Sequence, residues 1–359
     1  MCQPGPAPRG LRAVDGVLPG PYGQAMSNDP TILLDHGGGG RASRRLVEEV
    51  LLPRLINPAL ARLDDGAELS VNGYRLSFST DSYVVDPLFF PGGDIGKLAV
   101  HGTINDVAMG GGRPIALSVG LILEEGLPMS DLERVMDSMA EAAREAGVPI
   151  VTGDTKVVPR GAADKLFVNT AGIGIIPEGV HLSGSHARPG DVVLLSGPIG
   201  SHGVAVMAER AGLTVSCRSD TAALHGLVQA MLDVFPGIHC MRDPTRGGLA
   251  AVLDEIAQQS GAGMQVEETS VLLGDGVEAA CELLGLEPMH LANEGVLVAV
   301  VPPEGAEVVL EAMRAHPHGS HARVIGTVVQ GEPRVVLRTA IGGRRILSVP
   351  SGALLPRIC

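Results

Sequence analysis

Phe78-Ser79-Thr80-Asp81-Ser82-Tyr83 carries the end of an extended run over Tyr74 to Thr80 and places a carboxylate just beyond it. Working outward, helical spacing over residues 95–109, an extended run over 114–123, helical spacing over 130–146 and another extended run over 166–176 follow in order. The alternation predicts one mixed α and β domain over residues 29–178. Upstream, Leu46, Val47, Val50 and Leu51 share a helical face until Pro53 interrupts it, and this segment directly follows Gly37 to Gly40. Residues 1–28 carry Pro4, Pro6, Pro8, Pro19 and Pro21 among glycines without apolar periodicity. They read as a disordered leader, with Met26 an alternative start.

A second domain over 179–345 is marked by an extended run over 191–196 after Pro189-Gly190. Helical spacing near 204–211, 224–234, 248–258 and 305–315 and apolar runs at 296–301, 324–329 and 335–337 complete it. From Ile346 onward Pro350, Ser351, Gly352 and Pro356 break every pattern, so residues 346–359 read as a mobile tail. Fully extended from Ser348, that tail spans roughly 40 Å, which lets its last residue visit a site away from its own domain.

Composition narrows the function. The 359 residues carry a net charge of −13 with Trp 0, Tyr 3 and Phe 5, the wrong sign for a phosphate backbone and too few rings for base stacking. Nucleic acid is therefore not expected as a partner. No apolar run approaches a membrane span, and the N-terminal segment has no signal-peptide pattern. The five cysteines are widely spaced without a C-x-x-C pair, so neither a disulfide framework nor a zinc site is indicated, and a reduced cytoplasmic protein is expected. Gly 49 and Pro 26 promise many tight turns whose backbone amides can bind ligand.

Four constellations carry chemistry. Asp35-His36-Gly37-Gly38-Gly39-Gly40 before a helix exposes amides to an anion, although taken alone a surface turn is the plainer reading. Carboxylates stand beside glycines or at element boundaries in Ser79-Thr80-Asp81-Ser82, Gly93-Asp94-Ile95-Gly96-Lys97, Asn105-Asp106-Val107 and Gly153-Asp154-Thr155-Lys156. A turn or an N-cap explains any one of them, but four in one domain beside a glycine loop point to a nucleotide bound with Mg²⁺. In the second domain Asp243-Pro244-Thr245-Arg246-Gly247-Gly248 opens a helix, where Asp243 and Arg246 suit phosphate. Asn293-Glu294-Gly295 precedes a strand, and Glu294 suits a base if burial raises its pKa. A cap, a surface charge and a turn remain the alternatives there. Finally, Pro356-Arg357-Ile358-Cys359 places a thiol on the last residue of a flexible tail, which suits a swinging nucleophile that carries a bound group. His101, His202, His290, His316, His318 and His321 have no ligand spacing and are given no role.

Phe78 to Tyr83, Phe89-Phe90-Pro91-Gly92-Gly93, Asn105-Asp106-Val107, Val151 to Val158, Asp243 to Gly248 and above all the terminal Pro-Arg-Ile-Cys resemble the HypE hydrogenase maturation family. That family lies within the AIR synthetase-like (PurM-like) superfamily, which also holds selenophosphate synthetase and thiamine-monophosphate kinase. The resemblance runs from about Ile32 to Cys359. It implies a two-domain α+β fold, a homodimer formed through the first domains, and ATP with Mg²⁺ near the dimer interface. It implies that the carbamoyltransferase HypF loads a carbamoyl group onto Cys359, that ATP drives its dehydration to a thiocyanate, and that cyanide passes to iron on the HypC–HypD complex. By the same resemblance Asp81, Asp94, Asp106 and Asp243 hold Mg²⁺. Gly37, Gly38, Gly39, Gly40, Asp81, Lys97, Asn105, Asp154 and Arg246 contact ATP, Cys359 carries the carbamoyl group, and Lys156 and Glu294 sit beside its nitrogen as proton acceptors. The alternatives are a small-molecule kinase or synthetase of the same superfamily, with Cys359 incidental, and a thiol scaffold without catalysis.

Overall fold

The computed structural model describes residues 31–349 and 357–359, so the expected leader and residues 350–356 of the expected tail lie outside the described residues. After Gly40 the chain enters α1 (Arg41–Arg45), a π-helical turn (Leu46–Leu51) and α2 (Leu52–Leu55). The hairpin β1 (Ala67–Val71) and β2 (Tyr74–Tyr83) turns at Asn72-Gly73, both at positive φ, the geometry that matches strand twist in a two-residue loop. A short ribbon of β3 (Phe89–Phe90) and β4 (Gly93–Asp94) leads into α3 (Ile95–Met109), where the Asp94 carboxylate caps the helix by accepting from the Gly96 and Lys97 amides at 2.7 and 3.1 Å. β5 (Arg113–Glu124), α4 (Met129–Ala146), β6 (Ile150–Val158) and β7 (Leu166–Ile176) complete the first half.

These strands form a sheet in the order β1-β2-β7-β5-β6, parallel only between β5 and β6. α3 is apolar and buried almost all round, whereas α4 buries only Val135, Met139, Ala142 and Ala143 on one stripe and ends at Gly147 with φ +68. Both helices cover one face of the sheet. On β2 that face takes Ser77, Ser79 and Tyr83, so by the two-residue pleat Asp81 points to the same side and Phe78 to the other.

The second half runs through β8 (Val192–Leu195), α5 (Ser201–Arg210), α6 (His225–Val234), β9 (Cys240–Arg242), α7 (Gly248–Ser260), β10 (Gly263–Glu267), α8 (Val277–Leu284), β11 (Val298–Val301), α9 (Pro303–Ala315), β12 (Arg323–Val329), β13 (Val335–Arg338) and β14 (Arg344–Ile346). Its sheet has the order β14-β13-β10-β12-β8-β11-β9, parallel only between β10 and β13. Leu249, Leu253 and Ile256 of α7 pack on Val193, Leu195, Val298 and Val300. Leu227 and Met231 of α6 with Val309 and Met313 of α9 pack on Leu194, Ala299 and Val301 from the other face. Coverage on both faces is why β8 and β11 read as unbroken apolar runs instead of alternating ones.

The two sheets share cores across their seam. Ala108, Met109 and Ile176 join the α6 and α9 cluster, and Val206 and Ala292 join Tyr83, Ile95 and Leu98. The seam therefore belongs to one compact unit from Leu34 to Cys359. Several elements were not expected: β6 is an edge strand exposed along most of its length and lacks a core-facing alternation, while β9, β10 and β14 are only three to five residues long. Among the described residues no helix is long and apolar enough to cross a membrane.

Candidate active site

The last three residues lie in the seam. They run antiparallel to the segment leaving β2: the Asp86 amide donates to the Arg357 carbonyl at 3.3 Å and the Val84 amide to the Cys359 carbonyl at 3.2 Å. Arg357 Nε returns a bond to the Val84 carbonyl at 3.1 Å, its Nη1 pairs with Asp86 at 3.9 Å and with Asp164, and Arg210 Nη2 donates to the Arg357 carbonyl at 2.7 Å. Ile358 is buried in the cluster of Tyr83, Val85 and Val206. Main-chain bonds thus fix the register, and Ile358 supplies the apolar anchor.

This docking leaves Cys359 only 4% exposed. Arg246 Nη1 lies 3.6 Å from its Sγ and Arg246 Nη2 lies 3.8 Å from Asp81 Oδ1. Burial pushes the thiol up to about 12, against the pull of the Arg246 guanidinium and with the help of the Glu294 and Asp81 charges. Glu294 is 2% exposed, and burial together with Asp243, Asp220 and Asp81 raises its carboxyl well above the ordinary range while Arg246 opposes the rise. Its backbone is held by Asp220, whose two carboxylate oxygens accept from the Glu294 and Gly295 amides, both at 3.2 Å.

Behind Asp81 lies a set of buried acids. Ser79 Oγ donates to Asp106 Oδ2 at 2.8 Å, yet burial and the charges of Asp243 and Asp81 raise Asp106 well above its usual value. Burial with Asp65 and Asp81 beside it pushes Asp243 up to about 8. Burial also pushes Asp65 up to about 6, although Arg242 pairs with it at 3.2 Å. Asp65 Oδ2 and Asp243 Oδ2 are buried without a hydrogen-bond partner. Hard oxygen donors that repel one another and have orphaned lone pairs fit a divalent cation. Among the described residues no three His, Cys, Asp or Glu side chains converge as a complete ligand set. A cation bound together with a nucleotide needs only one or two such carboxylates, its remaining positions being filled by phosphate oxygens and water.

The glycine run reaches the same place. Gly39 sits at φ +72, and a Cβ there would lie 2.8 Å from the Arg246 carbonyl oxygen, so only glycine permits this approach. Cys359, Glu294, Asp81, Asp106, Asp243, Arg246 and the glycine loop are thus gathered at the seam.

Other expected residues are placed elsewhere. Asp94 spends an oxygen on capping α3, and Lys97 lies on the first turn of that helix. Asn105 is fully buried and commits its amide to the Ala222 carbonyl at 3.0 Å and the Leu224 amide at 2.7 Å, so it ties α3 to the loop before α6 and is not offered to nucleotide. Lys156 pairs with Asp154 at 2.7 Å, and both are largely exposed. They stand on edge strand β6, on the sheet face opposite Asp81 and three strands away, roughly 14 Å across the sheet. Within one chain Lys156 does not reach Cys359. Asp65, Arg242 and Asp220 were missed, although Asp64-Asp65-Gly66 shows the same carboxylate-and-glycine pattern as the acids that were found.

Residues 63–176 match the N-terminal domain of the AIR synthase related protein family and residues 188–338 its C-terminal domain. The carbamoyl dehydratase HypE of Azotobacter vinelandii is 56% identical over 327 residues, covering 90% of this chain and 96% of its own. The chain belongs to the HypE branch of the AIR synthase related family. A HypE crystal structure in complex with ATP superposes with a TM-score of 0.78 at 53% identity, covering 92% of this chain and all of that one. A crystal structure of a HypE–HypF complex superposes with a TM-score of 0.81 at 46% identity, covering 85% of this chain and 99% of that one. The expected two-domain α+β AIR synthetase-like fold is the one found, and the branch is that of hydrogenase maturation carbamoyl dehydratases.

Proposed function

We propose that this chain uses ATP to dehydrate an S-carbamoyl group on Cys359 to an S-cyano group. The observation that carries the reading is the docked terminal cysteine with Arg246 at its sulfur and Glu294 and Asp81 within electrostatic reach. In the balanced reaction the carboxamide oxygen takes the γ-phosphoryl group, the C–O bond breaks as phosphate leaves, and nitrogen gives up both protons as the C≡N bond forms. Glu294 accepts a proton from nitrogen, and its raised proton affinity makes it a strong base for that task. Arg246, beside the sulfur, orients the S-carbamoyl group and balances Asp81. Asp65 and Asp243, whose Oδ2 atoms have no hydrogen-bond partner, would hold Mg²⁺, which when bound neutralises triphosphate charge, and the Gly40 amide would meet phosphate, since the Gly39 amide is already spent on Ser43 Oγ at 3.0 Å.

A thiol this buried is closed to another enzyme, so loading requires the tail to undock. HypF, which forms a complex with a HypE relative, is the proposed loading enzyme, and the HypC–HypD iron complex the proposed acceptor of cyanide in the cytoplasm. The sheet face opposite α3 exposes Phe78, Ile122 and Ile175 beside Lys156, and we place a second copy of the chain there as a homodimer. A second chain is then the route by which Lys156 reaches a carboxamide. Intact-mass measurement after incubation with HypF, carbamoyl phosphate and ATP tests the reading. A carbamoyl gain on wild type that then becomes one water lighter, absent in Cys359→Ala, supports it; no adduct on a folded, ATP-binding chain overturns it.

A further inference from the structure

His202 carries no recognisable ligand spacing in the sequence, yet it meets the tail directly. It is fully buried on the first turn of α5, with Nε2 2.8 Å from the Ile358 carbonyl oxygen and Nδ1 2.8 Å from Ser219 Oγ. Its ring stands edge-on to Phe90 with centroids 5.4 Å apart, which fixes the ring plane. A carbonyl oxygen only accepts, so Nε2 bears the hydrogen; Nδ1 of the neutral ring then accepts from the Ser219 hydroxyl.

Ser219 is itself anchored. Its amide donates to the Pro91 carbonyl at 2.8 Å, and its Oγ accepts from the Thr221 amide at 3.2 Å. Gly92 packs so closely that a Cβ there would lie 2.7 Å from the Ser219 nitrogen. The chain thus builds a directed relay from the Thr221 amide through the Ser219 hydroxyl and the His202 ring to the tail carbonyl. Such a relay sets one tautomer and one ring orientation before the tail arrives.

We propose that His202 is a positioning residue that latches the docked tail and so sets how often the Cys359 sulfur, with whatever it carries, stands at Arg246 and Glu294. The catalytic consequence rests on the dehydratase reading, whereas the latch itself does not. Without His202 the Ile358 carbonyl is left unpaired in the docked state, but in the undocked state it bonds water. The loss therefore falls on docking alone.

The test uses the full-length chain and iodoacetamide. In His202→Ala, alkylation of Cys359 rises about tenfold while the buried Cys217, Cys240 and Cys281 keep their protection, and His202→Gln, whose amide can donate in the same place, returns towards wild type. In chains preloaded with carbamoyl, ATP-driven loss of water slows by a similar factor in His202→Ala, and loading is no slower. Cys359 alkylation within about twofold of wild type in His202→Ala overturns the latch. So does a joint rise at Cys217, Cys240, Cys281 and Cys359 in both variants. If His202→Ala does not fold, Ser219→Ala decides, since it keeps the ring and releases the tautomer: selective labelling of Cys359 upholds the latch, and unchanged labelling overturns it. A wild-type chain that shows the labelling behaviour but never gains a carbamoyl group upholds the latch and overturns the dehydratase reading.

Discussion

Arg246 stands between the terminal thiol and the acid cluster, with Nη1 3.6 Å from Cys359 Sγ and Nη2 3.8 Å from Asp81 Oδ1. Asp81 comes from β2, Arg246 from the loop after β9 and Cys359 from the chain end. Their meeting therefore exists only once both halves and the tail are assembled.

Arg246→Ala removes the cation shared by the sulfur and Asp81. Hydrogen bonds to charged groups contribute about 1.5–3 kcal/mol, so dehydration of preloaded chains should slow by at least about tenfold while loading by HypF persists. Arg246→Lys restores charge without the planar fork and should recover only part of the rate. Single-turnover intact-mass kinetics reads both; equal loss of loading and dehydration would place Arg246 outside the second step.

Glu294→Gln keeps the shape of the side chain and removes the base. Dehydration should fall about 10²- to 10⁴-fold with loading intact. Because burial raises the Glu294 carboxyl well above its ordinary range, the wild-type rate should go on climbing with pH beyond the point at which an ordinary glutamate has levelled off. A flat profile beyond that point would remove Glu294 from the base role.

The buried acids make stability pH-dependent. Asp65 at about 6 and Asp243 at about 8 both lie above the ordinary 3.8, so the folded chain binds these protons more tightly than the unfolded chain. Their contribution is fully present below the ordinary value and is lost as pH rises through the folded values, so the melting temperature should fall by several degrees from about pH 5 to about pH 8.5 in chelator. Asp243→Asn should flatten that slope. Mg²⁺ with nucleotide should raise the melting temperature at the alkaline end more than at the acid end, and thermal melts across the range would expose the opposite trend.

Lys156→Met tests the second chain. Alone it should load Cys359 but fail to dehydrate it. Mixed dimers of Lys156→Met with Cys359→Ala should regain dehydration on the Lys156→Met chain, since the missing amine then comes from the neighbour. No recovery in dimers shown to be mixed would place the Lys156 contribution within its own chain.

Much of the fold was legible because burial writes itself into spacing. α4 shows one apolar stripe, β8 and β11 show unbroken apolar runs, and both were read correctly in type and place. β6 was missed because an exposed edge strand has no such imprint. The acids were legible as carboxylates beside glycines, but that pattern does not distinguish Asp94, which caps a helix, from Asp106, which faces Asp81 and Asp243. Lys156, two residues from Asp154, likewise gave no sign of lying on the far face of the sheet.

The sequence by itself determined the pair of mixed α and β domains, the glycine run from Gly37 to Gly40 ahead of a helix and the presence of a terminal thiol, because each follows from local spacing or from the chemistry of a single residue. Only the tertiary structure decided that Arg246 meets Cys359, that Asp220 holds Glu294, and that His202 receives the tail. Those contacts join positions tens to hundreds of residues apart, and their hydrogen bonds have directions that no local pattern encodes.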